Sequence, residues 1–268
     1  MQINQVYFRS NAIDLYGALF IPESGTGKDA YIVCHPFAEE KKSSQKPLVD
    51  FSRRLARRGK YVLMFDFQGC GDSQGKLSAS TAQRWLQNID DAIAYLKSTT
   101  GLTEISVVGL RAAATILWHL AKKTDTIQRY ILFEPVHTLQ GHLENLIKQK
   151  MVNELLTYGR VKRTKELLIQ DLQAGNAIDI DGHEVSSELY HSFMHFDNEM
   201  DAQVLDTKIK MDIISLSISG TPSSESEKFY RKIQQPACVN FQAIKVESFW
   251  NKIDGVNIDP LLAVADSL

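Results

Sequence analysis

Asp66-Phe67-Gln68-Gly69-Cys70-Gly71-Asp72-Ser73 is the stretch that decides the fold. It follows the apolar run Tyr-Val-Leu-Met-Phe at 61–65, which reads as a parallel strand buried on both faces. Its glycines permit a tight loop at the strand's carboxyl end. Upstream, the run Ala-Tyr-Ile-Val-Cys at 30–34 reads as a second buried strand, and it runs into His35-Pro36-Phe37-Ala38-Glu39-Glu40.

Outward from these two strands the same unit recurs. Segment 82–97 places Trp85, Ile89, Ile93 and Leu96 at helical spacing. A strand at 105–108, a helix at 112–122 and a strand at 130–133 follow. A helix at 47–58, opened by Pro47 and closed by Gly59, joins the first two strands. Strands at 5–8 and 13–21 give the sheet an antiparallel start. Repeated strand–helix units imply a mainly parallel sheet with helices on both faces.

After Pro135 the pattern changes. Segments 139–156, 164–174 and 188–196 read as helices, the last with Ser187 as N-cap, and 178–180 as a short strand. Residues 136–202 are therefore expected to form a helical cap inserted between core segments 1–135 and 203–268. The alternation resumes with a strand at 213–218, a helix at 225–234, a strand at 238–244 and a closing helix at 260–267.

Composition narrows the function classes. The chain has 268 residues, 44% of them apolar, which suits one α/β domain with an insertion. Its net charge of −2 gives no global attraction to nucleic acid or anionic membranes. The basic run at 53–60 reads as a solvated helix face. Cys34, Cys70 and Cys238 are odd in number and widely spaced, unlike a disulfide framework or zinc site. A reducing, cytosolic setting is the simplest expectation. Residues 1–10 lack a signal pattern, no apolar run reaches membrane-spanning length, and no cofactor or metal motif is present.

Ligands of open α/β sheets sit beyond the carboxyl ends of the strands, so chemistry is sought there. Residues 66–73 match D-x-x-G-x-G-x-S, a fingerprint of many α/β-hydrolases, and a histidine ending the preceding strand, as His35 does, belongs to the same pattern. In that fold it opens a loop whose backbone N–H completes an oxyanion hole. The expected fold class is therefore the α/β-hydrolase fold. Its nucleophile elbow, G-x-S-x-G, should be Gly109-Leu110-Arg111-Ala112-Ala113. Arg111 stands where the nucleophile belongs. A guanidinium stays protonated and has no lone pair to attack a carbonyl. Ser223 occupies the place of the acid, and no histidine follows His195 to act as base.

Beyond the superfamily, the chain resembles the exosortase A system-associated hydrolase 2 family. The resemblance rests on residues 35–40, on 67–73 and on Gly109-Leu110-Arg111. It extends through Glu134-Pro135-Val136, residues 172–175 and 180–186, and Phe249-Trp250. It implies a gene neighbourhood in bacterial exopolysaccharide and exosortase clusters, with "hydrolase" a label by fold. Gly-Leu-Arg at the elbow is then a family trait. Ala113 for a glycine and Glu134 for a glutamine are departures.

Two uses of Arg111 stay open. It pairs internally with Glu39, Glu40, Asp66 or Glu134, or it binds an anionic small molecule (a carboxylate, phosphate or sugar acid) with the help of the helix N-terminus at Ala112. The candidate ligand-binding set is Arg111, His35, Phe37, Ala112, Glu39 and Glu134. A rearranged catalytic centre would draw on Cys70, His35 or His137, with the Phe37 and Ala112 amides as oxyanion hole. The structural alternatives are that Cys34 and His119 pack in the core, that His35 braces its loop, and that Asp66 and Asp72 hold loops by accepting N–H bonds. A binding or accessory protein is the leading expectation, and an acyl or ester hydrolase or acyltransferase the alternative.

Overall fold

A computed structural model describes residues 1–23, 27, 29–123, 126–199, 209–233, 239–252 and 255–268. Its centre is an eight-stranded sheet made of β1 (Gln2–Ser10), β2 (Ile13–Ile21), β3 (Ala30–Cys34), β4 (Tyr61–Phe65), β5 (Ile105–Leu110), β6 (Ile127–Phe133), β9 (Met211–Ser217) and β10 (Val239–Lys245). The spatial order is β1-β2-β4-β3-β5-β6-β9-β10. β1 pairs β2, and β2 pairs β4, in antiparallel fashion, while every later neighbour is parallel.

β3 and β4 are apolar throughout because both faces are covered. Ile32 joins the core beneath α2 (Ala82–Thr100), α3 (Ala112–Ala121) and α7 (Ser224–Lys232), where Trp85, Leu117 and Phe229 pack. Its neighbours Tyr31 and Val33 face the other way, onto Leu48, Phe51 and Leu55 of α1 (Glu39–Arg57) and Leu261 of α8 (Asp259–Ser267). This is the alternation that a pleated strand imposes.

Between β6 and β9 the chain builds α4 (Leu139–Tyr158), α5 (Lys165–Gln173), a hairpin of β7 (Ile178–Ile180) and β8 (His183–Val185), and α6 (Ser187–Glu199), none of it part of the main sheet. Asp197 of α6 takes the first N–H groups of α4, from Leu139 at 2.7 Å and Gln140 at 2.8 Å. A carboxylate there answers orphan donors and the helix dipole together.

Several elements depart from the expectations. α1 begins at Glu39, and Pro47 lies inside it rather than at its start. The residues before Pro47 are polar, so no apolar periodicity announced the first turns. The N-cap of α6 is Ser186, whose Oγ accepts the Leu189 N–H at 3.2 Å, while the Ser187 hydroxyl donates to the Leu172 carbonyl. The expected cap boundary at Ala202, and Cys238, lie outside the described residues.

Candidate functional site

Three strand ends converge. β3 ends in His35, β4 in the 66–73 loop and β5 in the turn to α3. Gly69 has φ +73, and a Cβ there would collide with the Leu77 nitrogen and the Lys76 carbonyl carbon, so the backbone leaves room only for glycine. The loop is closed by the Ser73 hydroxyl donating to the Asp66 carbonyl at 2.5 Å and by the Asp72 N–H donating to Asp66 Oδ2 at 3.1 Å. Asp66 thus holds the loop with its side chain, whereas Asp72 contributes a backbone donor and its side chain is exposed. Lys41 reaches Asp66 Oδ1 at 2.8 Å.

His35 is buried. Its Nδ1 lies 2.7 Å from the Pro36 carbonyl, and its Nε2 accepts the Phe67 N–H at 3.3 Å. One nitrogen must donate and the other accept, which requires the neutral ring. Burial, reinforced by the Lys41 charge and opposed by Asp66, lowers its pKa to about 4. Both ring nitrogens bridge backbone groups of the two loops.

Arg111 sits at φ 58, ψ −123, a sharp turn that a side chain rarely adopts. Gly109, two residues before, lies so close to α3 that a Cβ would stand 2.7 Å from the Leu117 side chain and 2.8 Å from the Ala114 nitrogen. The elbow is therefore formed, with an arginine on it. The guanidinium Nε donates to Glu40 Oε1 at 3.2 Å, and the guanidinium carbon lies 5.0 Å from the centroid of Trp250. Glu40 is buried, and its other oxygen lies 3.4 Å from His142 Nε2 on α4. Burial alone would raise the Glu40 carboxyl, but His142 and Arg111 together hold it below the ordinary carboxylate value. α1 presents Glu40 here because Ala38, at φ 53 and ψ −134, turns the chain sharply into the helix.

The other expected partners of Arg111 are engaged elsewhere. Glu39 is half-exposed, with Oε1 3.5 Å from His183 Nε2. Glu134 accepts from the Ser215 hydroxyl at 2.9 Å, the Leu216 N–H at 2.6 Å and the Ser223 hydroxyl. It ties the end of β6 to β9 and α7. Ser223, in the place expected for an acid, caps α7 through the Ser226 N–H at 3.1 Å. His137 donates its backbone N–H to Glu225 Oε2 at 3.1 Å.

His35, Phe37, Cys70, Ala112 and Ala113 line one cavity of ≈ 10 Å³, about room for a single water. Aromatic rings fill the rest: Phe37 lies 5.5 Å from Trp85 and 5.9 Å from Phe193, and Phe67 lies 5.6 Å from Trp85, centroid to centroid. Phe193 comes from α6, so that helix packs on the Phe37 and Trp85 rings that line this space. Burial pushes the Cys70 thiol up to about 12, Lys41 offsetting a little, so it is protonated at neutral pH. Beyond Glu40 and Trp250 lies a second cleft of ≈ 260 Å³ between α1, α4, the β7–β8 turn and the 3-10 turn Phe249–Asn251. Glu39, Asp181, Gln149, Asn153 and Asn251 line it. Sequence reasoning named Glu40 but missed Trp250 and His142 as the groups around it. They come from distant segments; the family resemblance touched Trp250, but nothing local links either residue to Glu40.

Sheet order, elbow and strand-end loops define an α/β-hydrolase fold. No family model matches the chain, and no curated protein sequence matches it; solved structures do. Est1E from Butyrivibrio proteoclasticus, in a structure with bound ferulic acid, is similar at TM-score 0.69 and 18% identity, over 98% of this chain and 96% of that one. The Pyrococcus furiosus esterase Pf2001 is similar at TM-score 0.59 and 14% identity, over 91% and 83%. An alpha-beta serine hydrolase homologue from Coxiella burnetii is similar at TM-score 0.59 and 13% identity, over 99% and 96%.

Proposed function

We propose that this protein is a non-hydrolytic α/β-hydrolase homologue, a binding or accessory protein whose Ser-His-acid triad has been lost. The observation that carries this reading is the Arg111–Glu40 contact on an intact elbow: the turn survives, and a paired cation replaces the nucleophile. Around it, a thiol held protonated and a histidine held neutral between backbone groups are poor material for a substitute centre. The cleft of ≈ 260 Å³ offers a small ligand the space that the packed pocket lacks. In the setting that the family resemblance implies, such a protein would serve bacterial exopolysaccharide or exosortase biology.

A second use of Arg111 is favoured by its geometry. Only Nε is hydrogen-bonded among the described residues, which leaves the terminal nitrogens for a carboxylate, phosphate or sugar acid. Anions of these three kinds should then raise the Tm of the wild type but not of Arg111→Ala. Equal shifts would assign Arg111 to Glu40 alone.

The hydrolase alternative is tested directly. Purified protein is offered short acyl esters and thioesters, and then serine- and cysteine-directed covalent probes. No turnover above the protein-free rate and no labelled active-site residue is the expected result. Turnover abolished by Cys70→Ala or His35→Ala would establish an enzyme with a rearranged centre.

A further inference from the structure

Nine large apolar side chains are exposed among the described residues, and five of them are Val152, Leu155, Leu156, Tyr158 and Leu167. Four of them, Val152, Leu155, Leu156 and Tyr158, lie on the last two turns of α4, and Leu167 lies in the first turn of α5. Leu156 is 80% exposed and Tyr158 62%, values that a helix packed on its own protein does not leave at its tip. Val152, Leu155 and Leu156 stand at i, i+3 and i+4, hence on one face. Gly159, at φ 68, ends α4 in a left-handed turn, and α5 runs back from it.

The tip between α4 and α5 also carries two cations in no ion pair among the described residues, Arg160 and Lys162. From 154 to 166 the chain carries Arg160, Lys162, Arg163 and Lys165 against Glu154 and Glu166, an excess of two positive charges. Arg163 pairs with Asp171, and Lys165 with Glu144 at 2.5 Å. Arg160 and Lys162 are exposed, and Lys162 Nζ lies 5.1 Å from the Tyr158 ring centroid. Beside the tip opens a cleft of ≈ 320 Å³ lined by Lys150, Lys162 and Arg163 together with Glu154 and Asp179. Lys150 is paired there with Glu154 at 2.8 Å and Asp179 at 3.8 Å, so Lys162 is the cleft's cation without an ion pair among the described residues.

We propose that the α4–α5 corner docks on an anionic lipid surface, with Leu155, Leu156 and Tyr158 entering the headgroup layer and Arg160 and Lys162 on the phosphates. Exposed Leu and Tyr flanked by cations is the composition of an interfacial contact, and a fluid bilayer requires no shape-matched partner. A second copy of the chain fits worse. A two-fold contact through this corner would set the same cations against each other. Docking needs no spanning helix, and among the described residues none is long and apolar enough to cross a membrane. The inference stands apart from the strand-end site.

The test is co-sedimentation of the full chain with vesicles of phosphatidylglycerol mixed with phosphatidylcholine, against phosphatidylcholine alone. Binding should require phosphatidylglycerol and weaken as salt rises. Reversing two charges in Arg160→Glu/Lys162→Glu should weaken it by more than about tenfold, and Leu156→Asp by about tenfold. Both changes are on the surface, and circular dichroism checks that the variants stay folded. Three results would overturn the proposal: no binding to either vesicle; binding to phosphatidylcholine alone that is equally tight; or binding to soluble polyglutamate as tight as to vesicles and indifferent to Leu156→Asp, the mark of an acidic protein partner. A dimer that Leu156→Asp dissolves, without vesicle binding, would give the corner to a second copy instead.

Discussion

Two spaces lie side by side at the strand ends, and they differ in size. The one beneath the elbow, lined by His35, Phe37, Cys70 and Ala112, holds ≈ 10 Å³, and Phe193 of α6 packs on the Phe37 ring beside it. The one beyond Glu40 and Trp250 holds ≈ 260 Å³. Arg111 stands between them, its backbone in the turn that shapes the first and its ion-pair and stacking partners on the wall of the second. The turn is needed to connect β5 to α3 whatever side chain stands on it. Space, charge and protonation state then decide where a ligand can go.

The comparison can be broken by mutation. Phe193→Ala should cost about 3–5 kcal/mol in urea unfolding, the usual loss for an aromatic ring in a filled core, whereas Gln149→Ala on the larger cleft should stay within about 0.5 kcal/mol. Similar costs at both positions would mean the two spaces do not differ in packing. Acidification acts on the packed side. The folded state holds His35 neutral down to a pKa of about 4, while the unfolded chain takes up the proton near 6.5. Stability is therefore complete above about pH 6.5 and falls as pH drops towards about 4, by up to about 3 kcal/mol. Buried His119, lowered to about 3, adds in the same direction. Unfolding measured at several pH values should show this slope, and His35→Gln should flatten it. Glu134→Ala strands three donors and should cost about 2 kcal/mol, read by the same denaturant curve. The smallest effect expected is on chemistry: Arg111→Ser restores an elbow hydroxyl but no base, and ester turnover should stay at the protein-free rate.

Much of the frame was legible from local pattern. The bounds of β2, β3 and β4 coincide with their apolar or alternating runs, because a buried strand writes its burial into consecutive residues. The start of α1 was hidden because helix formation at 39–46 is driven by the rest of the helix and not by an apolar face. The β7–β8 hairpin carried a usable signal that went unread: Asp181 and Gly182 both have positive φ, the conformation that Asp-Gly favours in a two-residue hairpin loop. At the site, residue chemistry showed that Arg111 is no nucleophile and that a buried guanidinium demands a counter-charge. The choice of Glu40 over Glu39 or Glu134 was fixed by the sharp turn at Ala38 and by the donors around β9, which local sequence does not record.

The central claim is that Arg111 and Glu40 form a coupled pair in the nucleophile's place. A double-mutant cycle on urea unfolding with Arg111→Met, Glu40→Gln and the double variant measures it most directly. Arg111→Met alone should cost about 3–5 kcal/mol because it strands a buried carboxylate. The double variant should recover much of this, for a coupling of about 1.5 kcal/mol or more. Strictly additive losses, with a coupling below about 0.3 kcal/mol, would contradict the pairing and release Arg111 for another role.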